Sequence, residues 1–119
     1  MRVLITDDSM VVRRAIQRLL VDGRIETMDH ARNGLEAVSL FRKHQHPVVT
    51  LDITMPEMDG LQTVDALVSM NPEVKILIIS ALADKATAID AIKRGASGFI
   101  CKPFTQLDLL EYFNELLSA

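Results

Sequence analysis

Three aspartates, a serine and a lysine carry the chemistry of this chain. Asp7 and Asp8 follow the apolar run Val3-Leu4-Ile5-Thr6. Asp52 follows Val48-Val49-Thr50-Leu51, Ser80 closes the run from Val74, and Lys102 follows Gly98-Phe99-Ile100-Cys101. Each sits where a short apolar run stops. If those runs are parallel strands of one sheet, their ends gather at one edge and the five side chains share a pocket. Carboxylates within a few ångströms repel one another, and a cation relieves the repulsion. All-oxygen ligands suit Mg²⁺, with Mn²⁺ as the alternative. Such an ion and the Lys102 ammonium would both attract phosphate oxygens, and the Ser80 hydroxyl would donate to another. In-line positioning with neutralised charge is the apparatus of phosphoryl transfer. An aspartate within it can serve as nucleophile and form an aspartyl phosphate.

The elements that must position these groups alternate in type. Val3–Thr6, Ile25–Ala31, Val48–Leu51, Val74–Ser80 and Gly98–Cys101 read as strands. The second is the weakest, its partial alternation suiting a place nearer the sheet edge. Between and after them lie amphipathic stretches at helical spacing: Met10–Val21, Leu35–His44, one from Leu61 that ends near Asn71-Pro72, Ala86–Arg94 and a last helix that Thr105 can cap, running to about Leu117. Ser9 or Asp8 can cap the first helix and Thr105 the last. In the fourth helix, Ile89 and Ile92 are expected to face inward. In the fifth, Leu110, Phe113 and Leu117 share a face that Leu109, Tyr112 and Leu116 extend to one side. Runs apolar on both faces suit parallel strands covered by helices, and right-handed crossovers then give a doubly wound α/β sheet.

The 119 residues suit one domain, 1–119, and 49% hydrophobic residues suffice for a core. The net charge of −3 gives no sign of a nucleic-acid surface. A single cysteine, Cys101, excludes an internal disulfide and reads as a buried small residue. No apolar stretch approaches the ~18 residues of a membrane span, and the N-terminus lacks signal-peptide character, so a cytoplasmic protein is the default.

In order along the chain, Asp7-Asp8-Ser9, Asp52-Ile53-Thr54-Met55-Pro56-Glu57-Met58-Asp59-Gly60, Ser80-Ala81 and Lys102-Pro103-Phe104 each stand at a strand end. Together they resemble the response-regulator receiver family over essentially the whole chain, and the length is similar to its stand-alone CheY-like type. The resemblance implies a flavodoxin-like (βα)5 fold with strand order 2-1-3-4-5. It implies that Asp52 is the phosphoacceptor and that Asp7, Asp8, Asp52 and the backbone carbonyl of Thr54 hold the metal. Lys102 would pair with the phosphoryl group, and Pro103 would hold its loop, commonly through a cis bond. Ser80 and Phe99 would form the switch, Phe99 swinging inward behind Ser80. Implied partners are a histidine kinase as phosphodonor and a downstream protein at the face of the fourth helix, fifth strand and fifth helix. A monomer is expected, with dimerisation on phosphorylation the alternative, and chemotaxis is one setting such regulators serve.

Blander readings stand beside these. Asp7-Asp8 alone is more often a helix cap, Ser80 can simply end its strand, and a phenylalanine on a short strand is usually core. Glu57 and Asp59 read as solvated loop acids. Leu82, two residues past Ser80, would shield the phosphoryl group from water. A haloacid-dehalogenase-type phosphatase would need a second acid two residues after the nucleophile, where this chain has Thr54. A flavodoxin-like binding module would need a phosphate-cradling loop after the first strand, where Asp7-Asp8 would repel phosphate.

Overall fold

The computed structural model describes residues 1–53, 60–81 and 85–118. Its elements alternate as β1 (Arg2–Thr6), α1 (Met10–Leu19), β2 (Thr27–Ala31), α2 (Gly34–His44), β3 (Val48–Asp52), α3 (Gly60–Met70), β4 (Lys75–Ala81), α4 (Lys85–Lys93), β5 (Gly98–Lys102) and α5 (Gln106–Ser118). The five strands pair in parallel in the order β2-β1-β3-β4-β5, as the sequence resemblance implies. Thr54, whose carbonyl was assigned to the metal, lies outside the described residues, as do Glu57, Asp59 and Leu82.

Burial explains why the strand runs are apolar throughout. All five residues of β3, at the sheet centre, are buried. On one face Leu4, Val49, Leu51, Ile76 and Ile78 pack against Ala37 and Phe41 of α2, Val64 and Leu67 of α3, and Ala88 and Ala91 of α4. On the other, Val3, Ile5, Val48, Leu77 and Ile79 pack against Ile16 of α1, Leu20 at its C-terminal cap, and Leu109, Phe113 and Leu116 of α5. β2 is an edge strand with only Ala31 fully buried, hence its mixed composition.

Local chemistry sets the helix starts. Ser9 caps α1, its Oγ accepting from the Val12 amide at 3.2 Å. Thr105 and Asp108 cap α5 reciprocally: Oγ1 of Thr105 accepts from the Asp108 amide, and Oδ2 of Asp108 accepts from the Thr105 amide, both at 3.1 Å. Gly60 opens α3 against the chain just after Asp52. Its amide donates to the Ile53 carbonyl at 2.9 Å, and a Cβ there would lie 2.5 Å from Ile53 Cα. Only glycine allows that approach.

Three details differ from the sequence reading. In α4 the buried residues are Ala88 and Ala91, whereas Ile89 is 43% and Ile92 37% exposed. The helix presents its small side chains to the core, which brings its backbone close, and leaves the isoleucines at its outer edge. In α5 the buried line is Leu109, Phe113 and Leu116, so Leu109 is core and not an edge. Four-residue steps from Leu109 to Phe113 fit the 3.6-residue turn as well as the line through Leu110, and the sheet decides between them. Cys101 is half-buried.

Candidate functional site

β1 and β3 are neighbours, with Thr6 opposite Leu51, so the residues ending the two strands emerge side by side. Asp7, one residue past β1, is buried at 1% exposure, and Asp52, the last residue of β3, at 6%. Asp8 points to the exposed rim. One carboxylate oxygen from each of Asp7, Asp8 and Asp52 lies within 4.8 Å of the others. β5 lies two strands from β3, and Lys102 at its end reaches back across β4. Its Nζ donates to Asp7 Oδ2 at 3.2 Å and lies 4.0 Å from Asp52 Oδ2. The Lys102–Pro103 peptide bond is cis. The grouping predicted from strand ends is therefore present for Asp7, Asp8, Asp52 and Lys102.

Ser80 is 1% exposed on β4, and its Oγ has no hydrogen-bond partner among the described residues. A buried hydroxyl without a partner costs stability. Phe99 is half-buried, packed against the core beside α2, α3 and α4. It pairs with Ile78, so it sits two residues below Ser80 in register and on the same face of the sheet. It also lines a surface cleft of about 570 Å³ with Ile92, Cys101, Asp108 and Tyr112, between α4, β5 and α5.

Asp7 is held from every side. Its amide donates to the Ala31 carbonyl at 3.1 Å and its Oδ1 accepts from the Ser9 amide at 2.9 Å. Its carbonyl accepts from Arg13 Nη1 at 2.6 Å. The sequence reading left Arg13 among the polar residues of α1. A signal was available: two arginines stand near the start of a helix with no acid in its first turn, where the helix dipole favours acids.

The donor chemistry fits a small hard cation. The three ligands are all carboxylate oxygens, their spacing is within the reach of one ion, and Asp8 at the rim leaves room for water.

The response regulator receiver domain family matches residues 3–114 of this chain. The chain belongs to that family. Among the relatives of this receiver domain, the chemotaxis protein CheY of Listeria monocytogenes is 41% identical over 111 residues, which cover 93% of each chain. The chemotaxis protein CheY of Bacillus subtilis is 38% identical over 117 residues, 98% of each. The crystal structure of the receiver domain of NtrX from Brucella abortus superposes with a TM-score of 0.91 at 30% identity, covering 98% of both chains. The aspartate cluster of this receiver domain accordingly lies at the phosphoacceptor site of a two-component response regulator. No helix among the described residues is long and apolar enough to cross a membrane.

Proposed function

We propose that residues 1–119 form one receiver domain that takes a phosphoryl group onto Asp52 and changes its partner-binding face in response. The observation that carries this reading is the convergence of Asp7, Asp8 and Asp52 with the Lys102 ammonium 4.0 Å from Asp52 Oδ2. Asp7, Asp8 and Asp52 would hold Mg²⁺, with Mn²⁺ as a substitute, and the Thr54 carbonyl would add a ligand. Bound there, the ion would neutralise the acids and attract a phosphoryl oxygen.

In the reaction an Asp52 carboxylate oxygen attacks phosphorus, and the bond from phosphorus to the donor breaks. The electron pair leaves with the donor, an imidazole nitrogen of a histidine kinase or the oxygen of a small acyl phosphate. Asp52 attacks as the carboxylate, with Lys102 Nζ 4.0 Å from its Oδ2. Lys102 pairs with the phosphoryl group and offsets its added charge. The Ser80 hydroxyl, which has no partner among the described residues, gains a phosphoryl oxygen to donate to. Its movement opens space above Ile78 that Phe99 can enter, and the cleft beside α4, β5 and α5 changes shape. Phosphorylation thus shifts a population between two states through contacts that exist in only one of them. The domain catalyses its own modification and does not turn over an outside substrate.

The two chemotaxis proteins among the relatives support a chemotaxis-type regulator, and the α4, β5 and α5 face is where its downstream protein would dock. On that face, exposed Ile92 and Tyr112 line the cleft.

The test is incubation with acetyl phosphate and Mg²⁺, read by intact mass. One acid-labile phosphoryl group is expected, dependent on Mg²⁺ and absent in Asp52→Ala. A folded protein that binds Mg²⁺ but gains no phosphoryl group from acetyl phosphate or from a kinase would sink the reading.

A further inference from the structure

We propose that Arg13 is a positioning residue for the divalent-cation site, acting through the peptide that joins Asp7 to Asp8. The inference rests on the reading of Asp7, Asp8 and Asp52 as metal ligands.

The two N-terminal acids are held very differently. Asp7 is buried and bonded through its amide and both carboxylate oxygens. Asp8 is exposed and makes no hydrogen bond or ion pair with any described residue. What orients Asp8 is therefore its backbone. The Asp7 carbonyl lies in the rigid peptide plane shared with the Asp8 nitrogen and Cα. Arg13 Nη1 donates to that carbonyl at 2.6 Å, from the turn of α1 that follows Ser9. Ser9 fixes the far side of Asp8 by capping α1 and by donating its amide to Asp7 Oδ1. The guanidinium thus fixes the near side of Asp8, and with it the direction in which the one exposed ligand leaves the backbone.

Two features mark this bond as more than packing. Arg13 Nε is buried without a hydrogen-bond partner among the described residues, so the guanidinium is aimed at Asp7 while another of its donors goes unsatisfied there. A cation near the start of a helix also opposes the helix dipole. Both are local costs, and they are offset where a bound cation needs its ligands held in place beforehand. Partners that orient ligands in this way commonly change metal affinity by about tenfold or more when removed.

Simple charge predicts the opposite sign. A guanidinium beside the site repels an incoming Mg²⁺, so removing it would tighten binding. The sign of the change in Arg13→Ala therefore separates the two accounts. Arg14 provides the control: it carries the same charge one residue on, is exposed, and makes no hydrogen bond or ion pair with Asp7.

The experiment is calorimetric titration of Mg²⁺ into wild type, Arg13→Ala, Arg13→Lys and Arg14→Ala at fixed ionic strength, each shown by thermal unfolding to be folded. Arg13→Ala is expected to bind Mg²⁺ about tenfold more weakly. Arg13→Lys, which keeps one donor, falls between it and wild type, and Arg14→Ala stays near wild type. The Mg²⁺ concentration for half-maximal phosphorylation by acetyl phosphate rises in step, with the plateau rate unchanged. Unchanged or tighter binding in Arg13→Ala overturns the proposal, as does equal weakening in Arg13→Ala and Arg14→Ala. Should Arg13→Ala fail to fold, Arg13→Met keeps the aliphatic stem without a donor, and wild-type affinity in that variant overturns the proposal. Absence of Mg²⁺ binding in wild type overturns the metal reading itself, and the role of Arg13 with it.

Discussion

The two ends of the sheet hold the same kinds of groups in opposite states of balance. At the amino end, Arg2 opens β1, His46 stands two residues before β3, and Asp29 of β2 lies between them. Arg2 Nε donates to Asp29 Oδ2 at 2.6 Å and Nη2 to Oδ1 at 3.2 Å, while His46 Nε2 lies 2.7 Å from Oδ2. One carboxylate there meets two donors. The Arg2 guanidinium, through its hydrogen bond, holds the Asp29 carboxyl down to about 2. Burial pushes the His46 imidazole below its ordinary range, so the ring is neutral and donates Nε2–H to the carboxylate. At the carboxyl end, three carboxylates meet one ammonium among the described residues. A nearly satisfied cluster supports a fold, whereas a surplus of like charge opposes it and is retained where something bound from outside completes it. Neither end can be judged from its acids alone; what matters is the count of donors around them.

The sharpest break in this contrast is exchange of Asp52 for asparagine. Asp52→Asn is expected to abolish phosphoryl incorporation, read by intact mass. It should leave the fold at least as resistant to urea, because it removes one of three neighbouring like charges. A large loss of stability would mean that the carboxyl end is also a structural cluster. The converse is Asp29→Asn, which should lower stability by about 2 kcal/mol, because one neutral amide oxygen replaces the charged carboxylate that Arg2 and His46 share. It should leave phosphorylation by acetyl phosphate unaltered.

Acid tests the same cluster without mutation. The Asp29 value lies below its unfolded value, so its contribution is complete above about pH 4 and is lost as pH falls toward about 2. A displacement of this size corresponds to about 2 kcal/mol. The lowered His46 value acts with the same sign at higher pH, its contribution fading as pH falls below the ordinary histidine range. Urea unfolding followed from pH 7 to pH 2 should show declining stability, with a shallower decline below pH 4 in Asp29→Asn. The smallest effect expected is from Mg²⁺ at neutral pH. At ten times its Kd it should stabilise wild type and Asp29→Asn alike by about 1.4 kcal/mol, and Asp8→Ala by less, measured by urea unfolding with and without the ion.

Much of the fold was legible because each inner strand had to be apolar on both faces and each helix on one. That requirement reads directly as short β-branched runs alternating with 3.6-residue periodicity. The strand-end positions of Asp7, Asp8, Asp52, Ser80 and Lys102 were legible for the same reason. The direction of α4 was not, because Ala88 and Ala91 are no more apolar in pattern than Ile89 and Ile92, and only the space left by the sheet selects the smaller pair. Leu109 was misjudged on similar grounds, since one helical step separates it from Leu110.

By itself the sequence determined the βα order and which chemical groups would stand at strand ends, since both follow from local periodicity. Only the tertiary structure decided that Lys102 reaches Asp7 past the ends of β4 and β3, that Arg13 turns back to the Asp7 carbonyl, and that His46 is buried against Asp29. Those contacts join residues on different elements, or run back across a helix start. Their distances depend on sheet register and helix docking, which no spacing along the chain records.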